Sequence, residues 1–216
     1  MQAITDLYFM ETIYFAGGCF WGTEHFFQQI KGVVRTQTGF ANGNDDLPTP
    51  TYEEVYTDST GYAETVLVEF DSEQVSLEFL VRMFFRAIDP LSLNQQGHDV
   101  GTRYRTGVYY VSEEQKPAIE SVFAEEQKKY SSPLQVELLP LKNYYPADEY
   151  HQNYLSKHPD GYCHLPLDLF RWAKEQTLFP SSYALVIPSS CAPHLSTFRG
   201  CLPEPDSVYA SHIDAR

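Results

Sequence analysis

The order in which the chain switches between two apolar spacings constrains its fold more than any other feature of the sequence. Apolar and β-branched residues predict strands over 11–16, 33–40 and 63–70, because successive side chains of a strand point to opposite faces. Helical spacing predicts helices over 19–30 and 77–88, and the second of these carries an unbroken apolar stripe. The first half of the chain is therefore predicted to run strand, helix, strand, strand, helix.

The second half continues this pattern more loosely. Residues 106–111 and 134–139 predict strands, and Ser112 and Gln115 resemble a capping box at the start of a helix between them. After about residue 144 we expect mostly loop, because periodicity is weak there. The order strand, helix, strand, strand, helix, strand is the split β-α-β pattern. We therefore expect an α+β fold: a two-layer, ferredoxin-like sandwich with helices packed on a mixed β-sheet and a long, loop-rich C-terminal part.

Composition divides the chain near residue 178. Residues 179–216 mix Pro, Ser and Cys without periodicity, which is typical of a poorly ordered tail. Residues 1–178 are long enough to bury a hydrophobic core of their own. We expect them to form a single catalytic domain.

Charge and hydropathy exclude several classes of partner. The chain has 15 Lys+Arg against 29 Asp+Glu, a net charge of −14, which disfavours binding to nucleic acid or to an anionic membrane. No apolar run approaches the ~20 residues that span a bilayer, and the first ten residues lack the pattern of a secretory signal. Four cysteines are too few for a disulfide scaffold in a chain of this length. We expect a cytoplasmic monomer whose cysteines are free, metal-bound or redox-active.

Cys19 lies in the stretch FAGGCFWGTEHF, where a predicted strand becomes a predicted helix. A cysteine there can be a small buried apolar residue. The start of a helix, however, offers free N–H groups and the positive end of the helix dipole, which stabilise a thiolate and lower the pKa of a cysteine. Gly17 and Gly18 permit close backbone approach, while Phe20 and Trp21 add apolar surface. The position favours a reactive thiol.

The residues alone leave two chemistries open for this thiol. An acyl-transfer enzyme needs a histidine base, and the candidates are His98, His151, His158 and His164. A redox enzyme needs a proton donor and a second thiol. Glu64 stands on the apolar face of the 63–70 strand, where desolvation raises the pKa of a carboxyl group. Cys163, in a glycine-containing loop, is a candidate second thiol.

Five blocks of the sequence resemble, in the same order, blocks of the A-type peptide methionine sulfoxide reductase family. The blocks are GCFWG at 18–22, PTYEEV at 50–55, TGYAETVLVEFD at 60–71, QGHDVGTRYRTGVYY at 96–110 and YYPADEYHQNYLSKHPDGYC at 144–163. The resemblance implies thiol-dependent reduction of methionine S-sulfoxide, free or in proteins, and thus repair of oxidised proteins. It implies no bound cofactor, because thiols supply the electrons.

The resemblance also implies a role for each residue that matches the family's catalytic set. Cys19 is the nucleophile and Glu64 is the acid. Tyr52 and Tyr104 match the two tyrosines that hydrogen-bond the sulfoxide oxygen, and Asp99 matches an aspartate that assists through water and substrate binding. Protonation of the oxygen and hydrogen bonds to it stabilise the charge that develops there when a thiolate attacks the sulfur.

The remaining matches concern the substrate pocket and the recycling of the enzyme. Phe20 and Trp21 match an apolar pocket for the methyl group on the sulfoxide sulfur. After methionine leaves, the nucleophile is a sulfenic acid, which a second thiol converts to a disulfide that a thioredoxin-like donor reduces. Cys163 fits the family's resolving position, and Cys191 and Cys201 rank behind it.

Two other functions are compatible with the residues considered without the resemblance. One is a cysteine hydrolase or acyltransferase that pairs Cys19 with His151. The other is a non-enzymatic binder of methionine-rich segments in which Cys19 is inert. We expect no metal site, because Cys163, His164 and His158 are not accompanied by a second short-spaced cysteine pair or by an H-E-x-x-H helix.

Overall fold

A computed structural model of the chain describes residues 9–47 and 49–176. The strands are β1 (Met10–Gly17), β2 (Val33–Ala41), β3 (Ala63–Asp71), β4 (Gln95–Gln96), β5 (Asp99–Val100), β6 (Thr106–Tyr110), β7 (Glu137–Pro140) and β8 (Tyr144–Pro146). The helices are α1 (Phe20–Gln28), α2 (Tyr52–Tyr56), α3 (Leu77–Ala87), α4 (Lys116–Gln127), α5 (Tyr154–Lys157) and α6 (Leu167–Gln176), with a 3-10 turn at Thr102–Tyr104.

Six strands form one mixed sheet in the order β7-β6-β1-β3-β2-β8, and β4 and β5 form a separate pair. Strand β3 lies antiparallel between β1 and β2, and β6 pairs antiparallel with the other side of β1. Strands β1 and β2, which α1 connects, are therefore parallel to each other with β3 between them, as the split β-α-β pattern predicts. Strand β7 adds in parallel to β6, and β8 adds antiparallel to β2. The predicted α+β class and mixed sheet are confirmed, and the strand order is compatible with a ferredoxin-like arrangement.

The main core lies between the sheet and the helices. Phe15 of β1 stacks on Phe27 of α1 with ring centroids 4.4 Å apart and contacts Phe84 of α3 at 5.1 Å. Alternate residues of β3, Val66 and Val68, are fully buried in the same core. The two-residue alternation read from the sequence thus assigns the correct face of β3 to the helices. That face carries Glu64 at its N-terminal end.

Two predictions about local structure are wrong. Ser112 and Gln115 do not form a capping box at α4, where the N-cap has no side-chain hydrogen bond. The Gln115 amide instead accepts from the Val111 N–H at 3.0 Å and donates to the Thr12 carbonyl at 2.9 Å. These strand ends have unpaired backbone groups that compete for the side chain. The expectation of mostly loop after residue 144 misses α6, a ten-residue helix.

Helix α6 was missed although it carries an apolar face, on which Leu169 and Trp172 flank the buried residues. Phe170 and Ala173 are its buried residues, and they reach the main core. The predicted tail over 179–216, including Cys191 and Cys201, lies outside the described residues. Within 9–47 and 49–176, no helix has the length and apolar content that crossing a membrane requires.

Candidate active site

The junction between β1 and α1 positions Cys19. Gly18 has a φ of +84°, and a Cβ atom there would lie 2.6 Å from Cβ of Gln96, so both the backbone conformation and the close packing require glycine. Cys19 follows as the N-cap of α1 and is 5% exposed. The thiol therefore lies at a helix start, as predicted, but under a cover of neighbouring side chains.

Glu64 occupies the anion position at the start of α1. Its side chain is 2% exposed, and its carboxylate accepts a hydrogen bond of 2.9 Å from the N–H of Phe20. Burial raises the pKa of Glu64 to about 8, against the opposing effects of the Phe20 N–H and the Arg103 charge. A carboxyl group with this pKa is largely protonated at pH 7, so Glu64 can donate a proton.

The pKa of Cys19 is raised well above its usual range, which corrects the sequence expectation of a lowered value. Burial is the largest cause, followed by the charge of Glu64. The N–H groups of Trp21 and Gly22 act in the opposite direction, as a helix start should. Desolvation therefore outweighs the helix terminus, and the resting thiol carries its proton.

Tyr52 and Tyr104 border the same space as Cys19 and Glu64. Burial raises the pKa of both phenols, and the charges of Glu64 and Cys19 raise it further. Both hydroxyls consequently keep their protons at neutral pH and can donate hydrogen bonds. Tyr104 is the last residue of the 3-10 turn before β6, while Tyr52 begins α2, whose capping box at Thr51 is complete.

Arg103 packs against Tyr104 on the side of the site formed by the two tyrosines. Its guanidinium forms an ion pair of 2.5 Å with Asp58 and is 9% exposed. It lies over the rings of Tyr56 and Tyr104, 4.1 and 4.4 Å from the centroids. A buried, paired cation at this point moderates the rise in the pKa of Glu64. The sequence offered no signal for this role, because the contact joins two loops.

The two predicted pocket aromatics differ in exposure. Phe20 is only 1% exposed, so it can offer no more than an edge to a ligand. Trp21 is partly exposed, and its indole stacks on Tyr154 at 3.8 Å. The Trp21 Nε1–H donates to Nδ1 of His151 at 3.2 Å, and the His151 ring also stacks on Tyr52 at 4.4 Å. His151 thus orients aromatic rings.

That arrangement weighs against the hydrolase hypothesis. One nitrogen of His151 already accepts from Trp21, and His98 and His158 are exposed. The histidine that does lie near the thiol is His164. Its nearest ring nitrogen, Sγ of Cys19 and a carboxylate oxygen of Asp99 are all within 4.8 Å of one another.

Asp99 is held by Tyr162, whose hydroxyl donates to Oδ1 at 2.9 Å. Its other carboxylate oxygen, Oδ2, is buried and has no hydrogen-bond partner among the residues that the structure describes. The same holds for both ring nitrogens of His164. Asp99 was predicted as a site residue from the sequence, whereas His164 was one of four candidate histidine bases for Cys19, and of these it is the one whose ring nitrogen lies near the thiol.

Cys163 lies next to the first turn of α1. A Cβ atom added at Gly22 would be 3.1 Å from Sγ of Cys163 and 3.1 Å from Cε1 of His164. Both Cys163 and Cys19 are free thiols. The fold therefore brings the second predicted thiol to the helix turn that begins with the first.

Comparisons with known proteins agree on one family. The family model described as peptide methionine sulfoxide reductase matches residues 11–182. The peptide methionine sulfoxide reductase MsrA of Clostridium acetobutylicum is 53% identical over 162 residues, which is 75% of this chain and 99% of the relative. That of Mycoplasma pneumoniae is 48% identical over 159 residues, covering 74% and 100%.

Two solved structures are also similar. Mxr1 from Saccharomyces cerevisiae in reduced form is 36% identical, with a TM-score of 0.69 over 73% of this chain and 91% of that one. Methionine sulfoxide reductase A of Corynebacterium diphtheriae is 36% identical, with a TM-score of 0.64 over 72% of this chain and 78% of that one.

Proposed function

The chain belongs to the peptide methionine sulfoxide reductase family and is an oxidoreductase that reduces methionine sulfoxide with thiols; on this premise we propose that Cys19 is the nucleophile and Glu64 the acid. The observation that carries the proposal is the hydrogen bond from the Phe20 N–H to a buried Glu64. It holds a protonated carboxyl group beside the one thiol at the start of α1.

The first step transfers the sulfoxide oxygen to Cys19. The sulfur of Cys19 attacks the sulfoxide sulfur, Glu64 gives its proton to the oxygen, and the thiol proton of Cys19 returns to Glu64. The bond between the two sulfurs and the substrate's S–O bond then break as the hydroxyl group moves to the Cys19 sulfur. Methionine leaves with the electron pair, Cys19 becomes a sulfenic acid, and no proton is gained or lost overall. A relay of this kind suits a thiol whose pKa is raised, because the thiolate forms only as the oxygen is protonated.

The neighbouring side chains stabilise the charge on the oxygen and orient the substrate. Tyr52 and Tyr104 donate hydrogen bonds to the oxygen, since both phenols keep their protons. Trp21 and the edge of Phe20 contact the methyl group on the substrate sulfur. Asp99 binds through its unpartnered oxygen, to water or to the substrate.

The second step closes a disulfide. The Cys163 thiol attacks the sulfenic acid of Cys19, which releases water, and a thioredoxin-like dithiol then reduces the Cys19–Cys163 disulfide by exchange. The proximity of Cys163 to Gly22 supports this order. We further propose that the S epimer is the substrate, that oxidised proteins as well as free methionine sulfoxide are reduced, and that the protein works as a monomer in the cytoplasm.

The family match supports a single catalytic domain over residues 1–178. The relative from Clostridium acetobutylicum is matched over 99% of its length by 75% of this chain, so the reductase of that organism needs little more than this part.

A single-turnover experiment tests the proposal. Reduced protein is mixed with methionine S-sulfoxide without a reductant, and products and thiols are mapped by mass spectrometry. We expect about one methionine per chain and a Cys19–Cys163 disulfide. Absence of methionine would exclude the activity, and a disulfide that joins Cys19 itself to Cys191 or Cys201 would exclude Cys163 as the resolving residue. The R epimer, at equal concentration, is the control for stereochemistry.

A further inference from the structure

Three groups that can bind a metal converge at the start of α1. Sγ of Cys19, a carboxylate oxygen of Asp99 and a ring nitrogen of His164 all lie within 4.8 Å of one another. They come from the start of α1, from β5 and from the segment that precedes α6. No short sequence motif predicts this set, because Cys19 and Asp99 are about eighty positions apart and Asp99 and His164 about sixty-five.

The hydrogen bonding of these groups is incomplete. Both ring nitrogens of His164 and Oδ2 of Asp99 are buried without a hydrogen-bond partner in the part of the chain that the structure describes. Buried polar side-chain atoms normally have a hydrogen-bond partner, so the carboxylate of Asp99 and the nearest ring nitrogen of His164 leave room for a ligand between them and Cys19. The other oxygen of Asp99 accepts from Tyr162 at 2.9 Å, which fixes the carboxylate as an outer partner fixes a metal ligand.

The donor set selects the class of metal. A thiolate, an imidazole and a carboxylate together suit Zn²⁺, whereas Mg²⁺ and Ca²⁺ prefer oxygen ligands alone. Tetrahedral Zn²⁺ with ordinary bond lengths separates its sulfur and nitrogen ligands by about 3.6 Å. Contraction by roughly 1 Å from the observed 4.8 Å limit would meet that geometry.

We propose that the reduced protein binds one Zn²⁺ reversibly through Cys19, Asp99 and His164, and that the metal-bound form cannot attack a sulfoxide. The thiol proton of Cys19 passes to the buffer when the metal binds. Zn²⁺ occupies the electron pair with which the sulfur attacks, and it fills the space beside Asp99. Zinc would therefore inhibit the reductase and shield Cys19 from alkylation or oxidation.

Cobalt provides a direct optical test, because Co²⁺ takes zinc sites and bonds to thiolate give a charge-transfer band in the near ultraviolet. The full-length chain with Cys163, Cys191 and Cys201 replaced by Ser keeps Cys19 as its one thiol. Titration of this reduced, metal-free protein with CoCl₂ should give the band with about one equivalent bound, and ZnCl₂ should abolish it. Absence of the band would overturn the proposal.

Single substitutions in that background identify the other ligands. His164→Gln and Asp99→Asn should each weaken Zn²⁺ at least roughly 10-fold in competition with a chelator. His158→Gln, on an exposed histidine six residues away, should leave the affinity unchanged. Equal affinity of the His164 and His158 variants would contradict the assignment, as would a site that requires Cys163. Thermal melts of each variant separate loss of binding from loss of folding.

The binding titration uses no substrate, so it is independent of the proposed catalytic roles. Inhibition is measured separately, as the rate with ZnCl₂ divided by the zinc-free rate of the same variant, and it should be reversed by a chelator. Zinc binding without inhibition would refute the second half of the proposal and leave the coordination intact.

Discussion

Burial acts on both Glu64 and Cys19, and it favours the neutral form of each side chain. Burial keeps a proton on the carboxyl group, where the proposed mechanism requires an acid, and a proton on the thiol, where the proposed mechanism requires a nucleophile. The two raised pKa values are compatible only if the proton moves between the groups as the substrate reacts. At the residue scale, the site is therefore best described by the pair.

Proton transfer between Glu64 and Cys19 predicts how Glu64→Gln changes the rate of methionine formation. The variant keeps an oxygen that can accept from the Phe20 N–H but has no proton to donate, so single-turnover methionine formation should fall roughly 10²- to 10⁴-fold. In the unchanged protein the rate should decline above pH 8, because Glu64 ionises with a pKa of about 8. The variant should lack that decline. Stopped-flow measurement of methionine formation between pH 6 and 9.5 checks both points.

The rate at which Cys19 is alkylated distinguishes an acid role of Glu64 from a purely structural one. At pH 9 the ionised Glu64 raises the pKa of Cys19, so the neutral Gln side chain should make iodoacetamide labelling of Cys19 faster. Slower labelling together with slower catalysis would instead mean that the variant distorts the helix start. An exposed carboxyl group, as in Glu73→Gln, is the matched control.

Helix α1 connects the site to the rest of the fold through a second buried carboxyl group. Glu24 is 1% exposed and accepts from the N–H of Asn153 at 2.8 Å and from the Thr36 hydroxyl at 3.2 Å. It thereby joins α1 to β2 and to the start of α5. At the element scale, this contact holds the segment that leads to Cys163 against the helix that begins at Cys19.

The buried Glu24 of α1 predicts that the stability of the protein depends on pH. Burial raises the pKa of Glu24 from 4.5 to about 7, so the folded protein holds a proton that the unfolded chain has lost. Stability should therefore decrease as pH rises from about 4.5 through 7, by an amount on the order of 1–3 kcal/mol. Glu24→Gln should flatten this part of the profile. Urea unfolding of the reduced protein at pH 5, 6, 7 and 8 measures the change.

The urea unfolding profiles of the variants can also contradict this explanation of the pH dependence. Glu64, with a pKa raised to about 8, contributes a further decrease that extends above pH 7 and should persist in Glu24→Gln. A profile that is unchanged by Glu24→Gln but altered by Glu73→Gln would show that the buried carboxyl groups do not control it.

Helix α1 and the segment that contains Cys163 are packed so closely at Gly22 that a side chain there would crowd them. A methyl group at Gly22 would lie 3.1 Å from Sγ of Cys163 and 3.2 Å from Nδ1 of His164, so these residues must shift by a few tenths of an ångström. In Gly22→Ala we expect disulfide formation after one turnover to slow roughly 3- to 10-fold. Methionine formation should change less. Rapid quench with thiol mapping resolves the two steps.

The control for Gly22→Ala is Ser121→Ala, on the exposed face of α4. It introduces a helical alanine far along the chain from the two thiols. Equal slowing of methionine formation and of disulfide formation in Gly22→Ala would indicate that the helix start itself moved.

At the scale of the whole molecule, one question is which cysteines take part in recycling. Cys163 lies beside Gly22, in the helix turn that begins at Cys19, whereas Cys191 and Cys201 lie outside the described residues. We expect Cys163 to be sufficient, so that the external dithiol reduces the Cys19–Cys163 disulfide directly.

Steady-state turnover tests this expectation. The double variant Cys191→Ser/Cys201→Ser should turn over with thioredoxin and its reductase at a rate within roughly 2-fold of the unchanged chain. Cys163→Ser should release about one methionine and then stop unless a small thiol is added. Arrest of the double variant after one turnover would instead establish a relay through those cysteines.

Much of the framework was predictable from single residues and local periods. The alternation of β3 places Glu64 on the buried face, and the glycines before Cys19 mark the change from strand to helix, because both effects depend on neighbours in sequence. The capping box at Gln115 and the loop after residue 144 were wrong for the complementary reason. There, strand ends and the main core compete for side chains that local rules assign elsewhere.

The alternation of residues along the chain was therefore enough to predict the order of the main strands and helices, and the ordered sequence blocks were enough to identify the family; Cys19 and Glu64 follow from the sequence as a predicted thiol and acid. The raised pKa of Cys19 could be recognised only in the folded chain, because burial by several segments outweighs the N–H groups of one helix. The tertiary structure also decided that His164 and Asp99 meet at that thiol. Desolvation and metal coordination depend on distances between remote segments, and those distances exist only once the chain is folded.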